Sequence, residues 1–221
     1  MFDEVGFEII DSLLSAEQAE FFNALLAKQE LKPLRGGIRH IDKLVPEVAQ
    51  LALSPLLLST AHNYLPSSPS LVRAIYFDKS PENNWYVTWH QDRTVSVSDR
   101  FEMNDWAPWS TKDGVLHVQP PLNVLEQMVT IRIHLDPANK GNGCLKIIPK
   151  SHQLGLLHSS EVSSQVNDDE VVFCEVPKGG AVIMRPHILH ASEKAVDDAP
   201  RRVLHFEYSS YQLPEGVTWV E

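Results

Sequence analysis

After one short extended segment, the hydrophobic positions in the first 65 residues follow a helical spacing. Residues 5–10 combine Val, Phe and two Ile and predict a short strand. A helix is predicted after Ser15, because Ser15 and Gln18 form a capping box and an apolar stripe follows over residues 21–26. A second helix is predicted from Ser54-Pro55, since proline suits the first helical position. This part of the chain is therefore expected to be mostly helical.

The pattern changes near residue 71, where short segments rich in β-branched and aromatic residues are separated by Gly, Pro, Asn and Asp. Eight such segments predict strands, at 71–77, 86–91, 94–98, 128–135, 144–149, 171–176, 180–184 and 202–208. No helices alternate regularly with them, which argues against a parallel doubly wound sheet. We predict a mainly β double-sheet jelly roll or barrel with the N-terminal helices packed outside. One domain over residues 1–221 is expected, with a helical extension at 1–65 and a β core at 71–210.

Composition and charge narrow the class of protein. The chain has 19 basic and 29 acidic side chains and a net charge of −10, which disfavours nucleic acid as the main partner. Cys144 and Cys174 are too few for a disulfide scaffold and lack the spacing of a zinc ribbon. The acidic N-terminus does not resemble a signal peptide, and no stretch is long and apolar enough to span a membrane. A cytoplasmic protein with a small-molecule substrate is expected, in an oligomeric state that the sequence does not specify.

The residues most suggestive of chemistry lie at the end of the second predicted strand of the core. His90 and Asp92 are two positions apart, so on an extended chain their side chains point to the same face. The best third ligand is His190, 98 residues further on, although His187 competes with it in the same segment. Two imidazoles and one carboxylate leave open positions on a metal ion, which suits non-haem Fe(II).

A cosubstrate such as 2-oxoglutarate would need a fixed planar cation for its far carboxylate, and Arg matches a carboxylate with two parallel hydrogen bonds. Arg201 lies eleven residues after His190, at the start of the last predicted strand. A hairpin between the two strands would return Arg201 to the metal, and Arg202 would point the other way.

Four motifs in order resemble the phytanoyl-CoA dioxygenase family, over about residues 71–210: FDKSP before WHQD, then LDPANKGNGCLKIIPKSH, GGAVIMRPHILHAS and RRVLHFEY. The resemblance implies a double-stranded β-helix, with Fe(II) bound by His90, Asp92 and His190 and with Arg201 and Ser192 near the 2-oxoglutarate carboxylate. It also implies reaction with O2, release of succinate and CO2, and oxidation of a substrate. Because Asp92 is present, hydroxylation is expected rather than halogenation.

The chain departs from the family pattern in two places. Arg132 stands where the family often has Trp, and alternation places it on one face with Thr130 and His134. If that face lines the barrel, Arg132 is expected to hold an anionic substrate or the cosubstrate, with His134 facing the same pocket. Residues 100–121 are also atypical and are expected to form a loop over the site, with Trp109 as a candidate substrate contact.

Two other functions remain open at this point. A non-catalytic protein that binds a metal or small molecule would retain the same fold and triad, and a metal-dependent isomerase or hydrolase would not need Arg201. The other histidines, including His205, are expected to be surface or structural residues. The sequence does not identify the substrate or show whether it is a CoA ester.

Overall fold

The computed structural model describes residues 2–31, 37–112 and 114–220. Its helices are short, with the following bounds: α1 Phe2–Val5, α2 Ala16–Ala27, α3 Ile41–Leu44, α4 Pro46–Ala52, α5 Pro55–His62 and α6 Leu122–Leu125. Both predicted helix starts are confirmed, since Ser15 and Gln18 form the reciprocal capping box and the Ser54 side chain accepts a hydrogen bond from the Leu57 N–H. None of the helices in these ranges has the length and apolar character needed to cross a membrane.

The strands outnumber the helices, and every predicted strand is present. They are β1 Phe7–Ile10, β2 Ile38–Arg39, β3 Ser70–Lys79, β4 Val87–His90, β5 Val95–Ser96, β6 Trp109–Lys112, β7 Val115–Val118, β8 Met128–His134, β9 Leu145–Ile147, β10 Val172–Cys174, β11 Ala181–Met184, β12 His190–Ser192 and β13 Arg201–Ser209. Paired strands run antiparallel throughout the described residues. The mainly β prediction is thus confirmed.

The strands form a large sheet in the order β1-β11-β8-β13-β3-β2, a smaller sheet in the order β10-β9-β12-β4, and a three-stranded sheet β5-β7-β6. The first two sheets face each other as a double-stranded β-helix. Both edge strands of the large sheet, β1 and β2, come from the first 65 residues. The N-terminal region therefore completes the sheet as well as packing helices against it.

Alternation along the strands divides the large sheet into two faces. Leu204, Phe206 and Tyr208 on β13 pack with Ile131 and Ile133 of β8 against the N-terminal helices in one buried cluster. The intervening residues point to the other face, toward the smaller sheet. A polar side chain at one of these intervening positions is therefore directed into the space between the sheets.

The predicted hairpin between the strands of His190 and Arg201 is wrong. In the part of the chain that the structure describes, β12 pairs with β9 and β4, whereas β13 pairs with β8 and β3. Each strand has both edges occupied, so the two cannot pair with each other. Residues 193–200 instead cross from the smaller sheet to the large one.

Residues 100–121 do not form a simple loop, because they contain β6, β7 and the turn between them. β7 pairs with both β6 and β5. Trp109 on β6 packs against Phe101, with ring centroids 5.4 Å apart, and carries the Arg100 guanidinium over its ring. Asp113 lies outside the described residues.

Candidate active site

His90, Asp92 and His190 lie together at the mouth of a cavity between the two facing sheets. His90 and His190 are opposed residues of the β4–β12 ladder, and their ring centroids are 4.2 Å apart. The Asp92 carboxylate lies 3.7 Å from His90 Nε2 and 3.5 Å from His190 Nε2. One candidate ligand atom from each residue falls within 4.8 Å of the others. The structure thus brings the three predicted ligands into one group.

Backbone contacts orient both imidazole rings and anchor the main chain at Asp92. His90 Nδ1 is 2.9 Å from the Thr88 carbonyl, and His190 Nδ1 is 2.8 Å from the Ile188 carbonyl. A carbonyl can only accept, so each Nδ1 carries a proton and each Nε2 is left facing the centre of the group. The Asp92 N–H donates to the Pro186 carbonyl at 3.0 Å, which anchors the residue beyond the end of β4. Burial and the adjacent His90 lower the pKa of His190 to about 3, so its imidazole is neutral, as a metal ligand must be.

His187, the rival third ligand, lies elsewhere. It is buried, and its ring is 6.0 Å from that of His152. Its backbone carbonyl accepts a hydrogen bond from the Gln91 side chain at 2.8 Å. His187 is therefore not part of the three-residue group, although it helps to hold the strand that precedes Asp92.

The cavity has a volume of about 230 Å³ and is lined by both sheets. Ile75, Phe77, Trp85 and Leu145 provide apolar wall, while charged side chains occupy other parts of the surface. The triad lies at its open side, since the side chain of His90 is 37% exposed and that of Asp92 is 28% exposed. A small molecule that enters the cavity would pass close to the three candidate ligands.

Arg201 lines the cavity and is almost fully buried. Its Nε and Nη1 atoms have no hydrogen-bond partner in the described structure, and its Nη2 is 3.4 Å from Ser192 Oγ. Burial, with the nearby Arg132, lowers the pKa of Arg201 to about 10. A buried cation with unused donors is energetically unfavourable unless an anion binds to it. Arg202 points to the other face, as expected, and forms an ion pair with Asp136.

Ser192 connects Arg201 to a lysine that the sequence analysis missed. Ser192 Oγ donates to the Gly143 carbonyl at 2.9 Å and accepts from Lys79 Nζ at 2.9 Å. Lys79 lies opposite Arg201 in the β3–β13 register and is fully buried. Burial and the charge of Arg201 lower the pKa of Lys79 to about 7. The Ser192 hydroxyl at this end of the cavity therefore lies between the amine of Lys79 and the guanidinium of Arg201.

The remaining candidates occupy different surroundings. Arg132 lines the cavity, so the face predicted for it is confirmed. His134 is fully buried and does not line the cavity, and neither ring nitrogen has a hydrogen-bond partner among the described residues. Burial and the charges of Arg201 and Arg132 lower its pKa well below the usual value. Trp109 is also not among the lining residues, because it packs in the cluster around the three-stranded sheet. The structure therefore does not bring Trp109 to this cavity.

His205 also lines the cavity, contrary to its assignment as a surface or structural residue, and so does Glu207. A signal for both was present in the sequence. Arg201, His205 and Glu207 are spaced by even numbers on one strand, so they share the inward face. Extending that alternation beyond Arg201 would have found them.

The fold and this group of ligands define a class: double-stranded β-helix proteins with a His-Asp-His metal triad. The sequence profile of the phytanoyl-CoA dioxygenase (PhyH) family matches residues 2–203. The chain belongs to that family, which consists of Fe(II)- and 2-oxoglutarate-dependent oxygenases.

Individual relatives agree with this assignment. Phytanoyl-CoA dioxygenase domain-containing protein 1 of Danio rerio is 26% identical over 153 residues, which cover 63% of this chain and 44% of that protein. The matched stretch thus spans less than half of that curated relative.

Solved structures share the fold at low sequence identity. HygX from Streptomyces hygroscopicus, solved with nickel, 2-oxoglutarate and hygromycin B bound, has a TM-score of 0.67 at 15% identity, covering 94% of this chain and 84% of its own. EvdO2 from Micromonospora carbonacea var. aurantiaca, complexed with 2-oxoglutarate, has a TM-score of 0.68 at 19% identity, covering 100% and 94%.

Proposed function

We propose that this protein is an Fe(II)- and 2-oxoglutarate-dependent dioxygenase that hydroxylates a small organic substrate and releases succinate and CO2. One observation carries the proposal. Two imidazoles and a carboxylate converge at the mouth of a cavity that also contains a buried arginine with unused hydrogen-bond donors. Neither the three converging side chains nor the buried arginine would be needed in a protein that used the cavity only for packing.

The side chains present fit an iron ion. His90, Asp92 and His190 offer two imidazole nitrogens and one carboxylate, the donor set of non-haem Fe(II) oxygenases. When bound, the ion supplies the site at which 2-oxoglutarate and O2 react. The hydrogen bonds from Nδ1 to Thr88 and Ile188 would hold both rings in the orientation that binds it.

Arg201 would bind the far carboxylate of 2-oxoglutarate. Its Nε and Nη1 would gain the acceptors that the described residues do not provide. Ser192 and Lys79 would position the Arg201 guanidinium, because the Ser192 hydroxyl is held between Lys79, Arg201 and the Gly143 carbonyl. The apolar wall would exclude water from the reacting groups, which protects a reactive site from side reactions.

The proposal is tested with anaerobic protein loaded with Fe(II). Addition of 2-oxoglutarate is expected to produce a weak visible charge-transfer band, which Asp92→Ala abolishes. Asp169→Ala, which removes an exposed carboxylate that does not line the cavity, should leave the band unchanged. Absence of a band in intact protein with confirmed iron loading would contradict the proposal.

Succinate formation separates an enzyme from a non-catalytic binding protein. An untargeted set of metabolites is added with O2 to the iron-loaded protein, and succinate is measured against a sample without substrate. A metabolite that raises succinate release and gains one oxygen atom supports hydroxylation. A protein that forms the band but never releases succinate would be the non-catalytic alternative.

A further inference from the structure

A second cationic group in the cavity has no role in the proposed binding of metal or cosubstrate. Arg132 on β8 is 7% exposed, and its Nη1 donates to His205 Nδ1 at 2.8 Å. Its guanidinium carbon lies 5.0 Å from the centroid of the Phe77 ring. Its Nε is buried without a partner in the described structure. Arg132 is therefore held in one place by two neighbours while part of its hydrogen-bonding capacity is unused.

The partner of Arg132 is neutral and is itself fixed. Arginine has only donors, so His205 Nδ1 must accept and the proton must be on Nε2. That Nε2–H donates to Glu207 Oε1 at 2.9 Å. Glu207 also accepts from Arg73 Nη1 at 3.1 Å, and Arg73 Nη2 donates to the Thr94 carbonyl. The Glu207 carboxylate is thus already engaged by Arg73 and His205, and it does not contact Arg132 directly.

The charge of the cavity wall also favours an anionic ligand. Three buried arginines, Arg73, Arg132 and Arg201, and two carboxylates, Asp92 and Glu207, contribute to its lining, an excess of one positive charge. A divalent metal and a dicarboxylate cosubstrate cancel each other, so the excess persists after both have bound. Buried charge of one sign favours a ligand of the opposite sign.

We propose that Arg132 is the anchor of a second anion-binding subsite, which takes a carboxylate or phosphoryl group of the substrate. Arg132 would provide directed donors to that group, and His205 and Phe77 would keep the guanidinium in position. The subsite itself is independent of catalysis. Only the statement that its ligand is the substrate rests on the proposed function.

Binding to nickel-loaded protein with saturating 2-oxoglutarate tests the subsite without turnover. The probes are butyrate and methylphosphonate, with butyramide as the uncharged counterpart of butyrate, and binding is measured by calorimetry. At least one anion is expected to bind about tenfold more tightly than butyramide, without displacing 2-oxoglutarate. Preference between the two anions distinguishes a carboxylate from a phosphoryl ligand. Equal binding of butyrate, methylphosphonate and butyramide, or displacement of 2-oxoglutarate by the anion, would overturn the proposal, and neither result requires a variant.

The variant Arg132→Gln then assigns the binding to one side chain. It should weaken anion binding at least tenfold and change the dissociation constant of 2-oxoglutarate less than twofold. Arg202→Gln removes an arginine from the opposite face of the same sheet and should change neither constant. If Arg132→Gln weakens 2-oxoglutarate binding instead, Arg132 belongs to the cosubstrate site and the subsite is refuted. Anion binding lost with Arg132 in a protein that never forms succinate would refute the proposed function and leave the subsite intact.

Discussion

Replacing Arg201 by Gln is expected to weaken 2-oxoglutarate binding by about 100-fold. Burial lowers the pKa of Arg201 from 12.5 to about 10, which corresponds to about 3 kcal/mol of free energy opposing the charged form. A carboxylate bound to this guanidinium offsets a cost of that size and forms charge-assisted hydrogen bonds, each of which contributes about 1.5–3 kcal/mol. Since neighbouring contributions are not additive, we take about 3 kcal/mol as the net loss, and each 1.4 kcal/mol is a factor of about ten.

The assay is a titration of iron-loaded, anaerobic protein with 2-oxoglutarate, followed by the visible band or by calorimetry. Arg201→Lys keeps the charge but loses the two-pronged geometry, so a smaller loss of about tenfold is expected. Arg202→Gln is the matched control, because Arg202 pairs with Asp136 on the opposite face and should not affect binding.

Thermal unfolding provides an independent readout. Without ligand, Arg201→Gln should be at least as stable as the parent, because it removes a buried charge whose Nε and Nη1 have no hydrogen-bond partner among the described residues. With saturating 2-oxoglutarate only the parent should gain much stability, since ligand binding stabilises the folded state by mass action. If Arg201→Gln binds 2-oxoglutarate within twofold of the parent, or if Arg202→Gln loses as much, the assignment of Arg201 is refuted.

Three further predictions concern the third metal ligand, the pH dependence of the free energy of unfolding, and the helix cap at Ser15. His190→Gln should weaken nickel binding at least 100-fold by calorimetry, whereas His187→Gln should bind nickel like the parent; equal losses would make His187 a ligand after all. Burial lowers the pKa of His187 to about 3, below the unfolded value near 6.5, so its stabilising contribution is complete above pH 6.5 and is lost as the pH falls toward 3. We expect this residue to reduce the free energy of unfolding by about 1.4 kcal/mol per pH unit between pH 6 and 4, and His187→Gln to show a shallower decline in denaturant titrations. Ser15→Ala should destabilise the protein by about 1 kcal/mol through loss of the capping box, without changing 2-oxoglutarate binding; a stability equal to that of the parent would mean that the cap is not used in solution.

The strands and the helix starts could be predicted because their signals are local. The capping box at Ser15 and the β-branched runs each lie within a few residues, and the periodicity of β8 placed Arg132 on the inner face. His90 and Asp92 were found for the same reason, since their two-residue spacing on a strand determines their common direction.

The parts that the sequence did not reveal depend on long-range pairing. Arg132 meets His205 only through the β8–β13 register, 73 positions apart along the chain. Lys79 meets Ser192 across the two sheets, 113 positions apart. The strand β12 has only three residues and no β-branched run, so its pairing with β4 had no signature of its own. The path from His190 to Arg201 was accordingly mistaken for a hairpin.

The position of β4 has a consequence for how metal binding would affect the stability of the smaller sheet. β4 is the outermost strand of the smaller sheet and is hydrogen-bonded on one side to β12. A metal ion bound by His90 and His190 would link β4 to β12, in addition to the backbone hydrogen bonds between these strands. Chelation should therefore loosen residues 87–92 first, which hydrogen–deuterium exchange would record as faster labelling there than in the central strand β13. Bound iron would then stabilise the edge of the smaller sheet at the cavity entrance. The fraction of molecules with an ordered entrance would depend on the fraction loaded with iron.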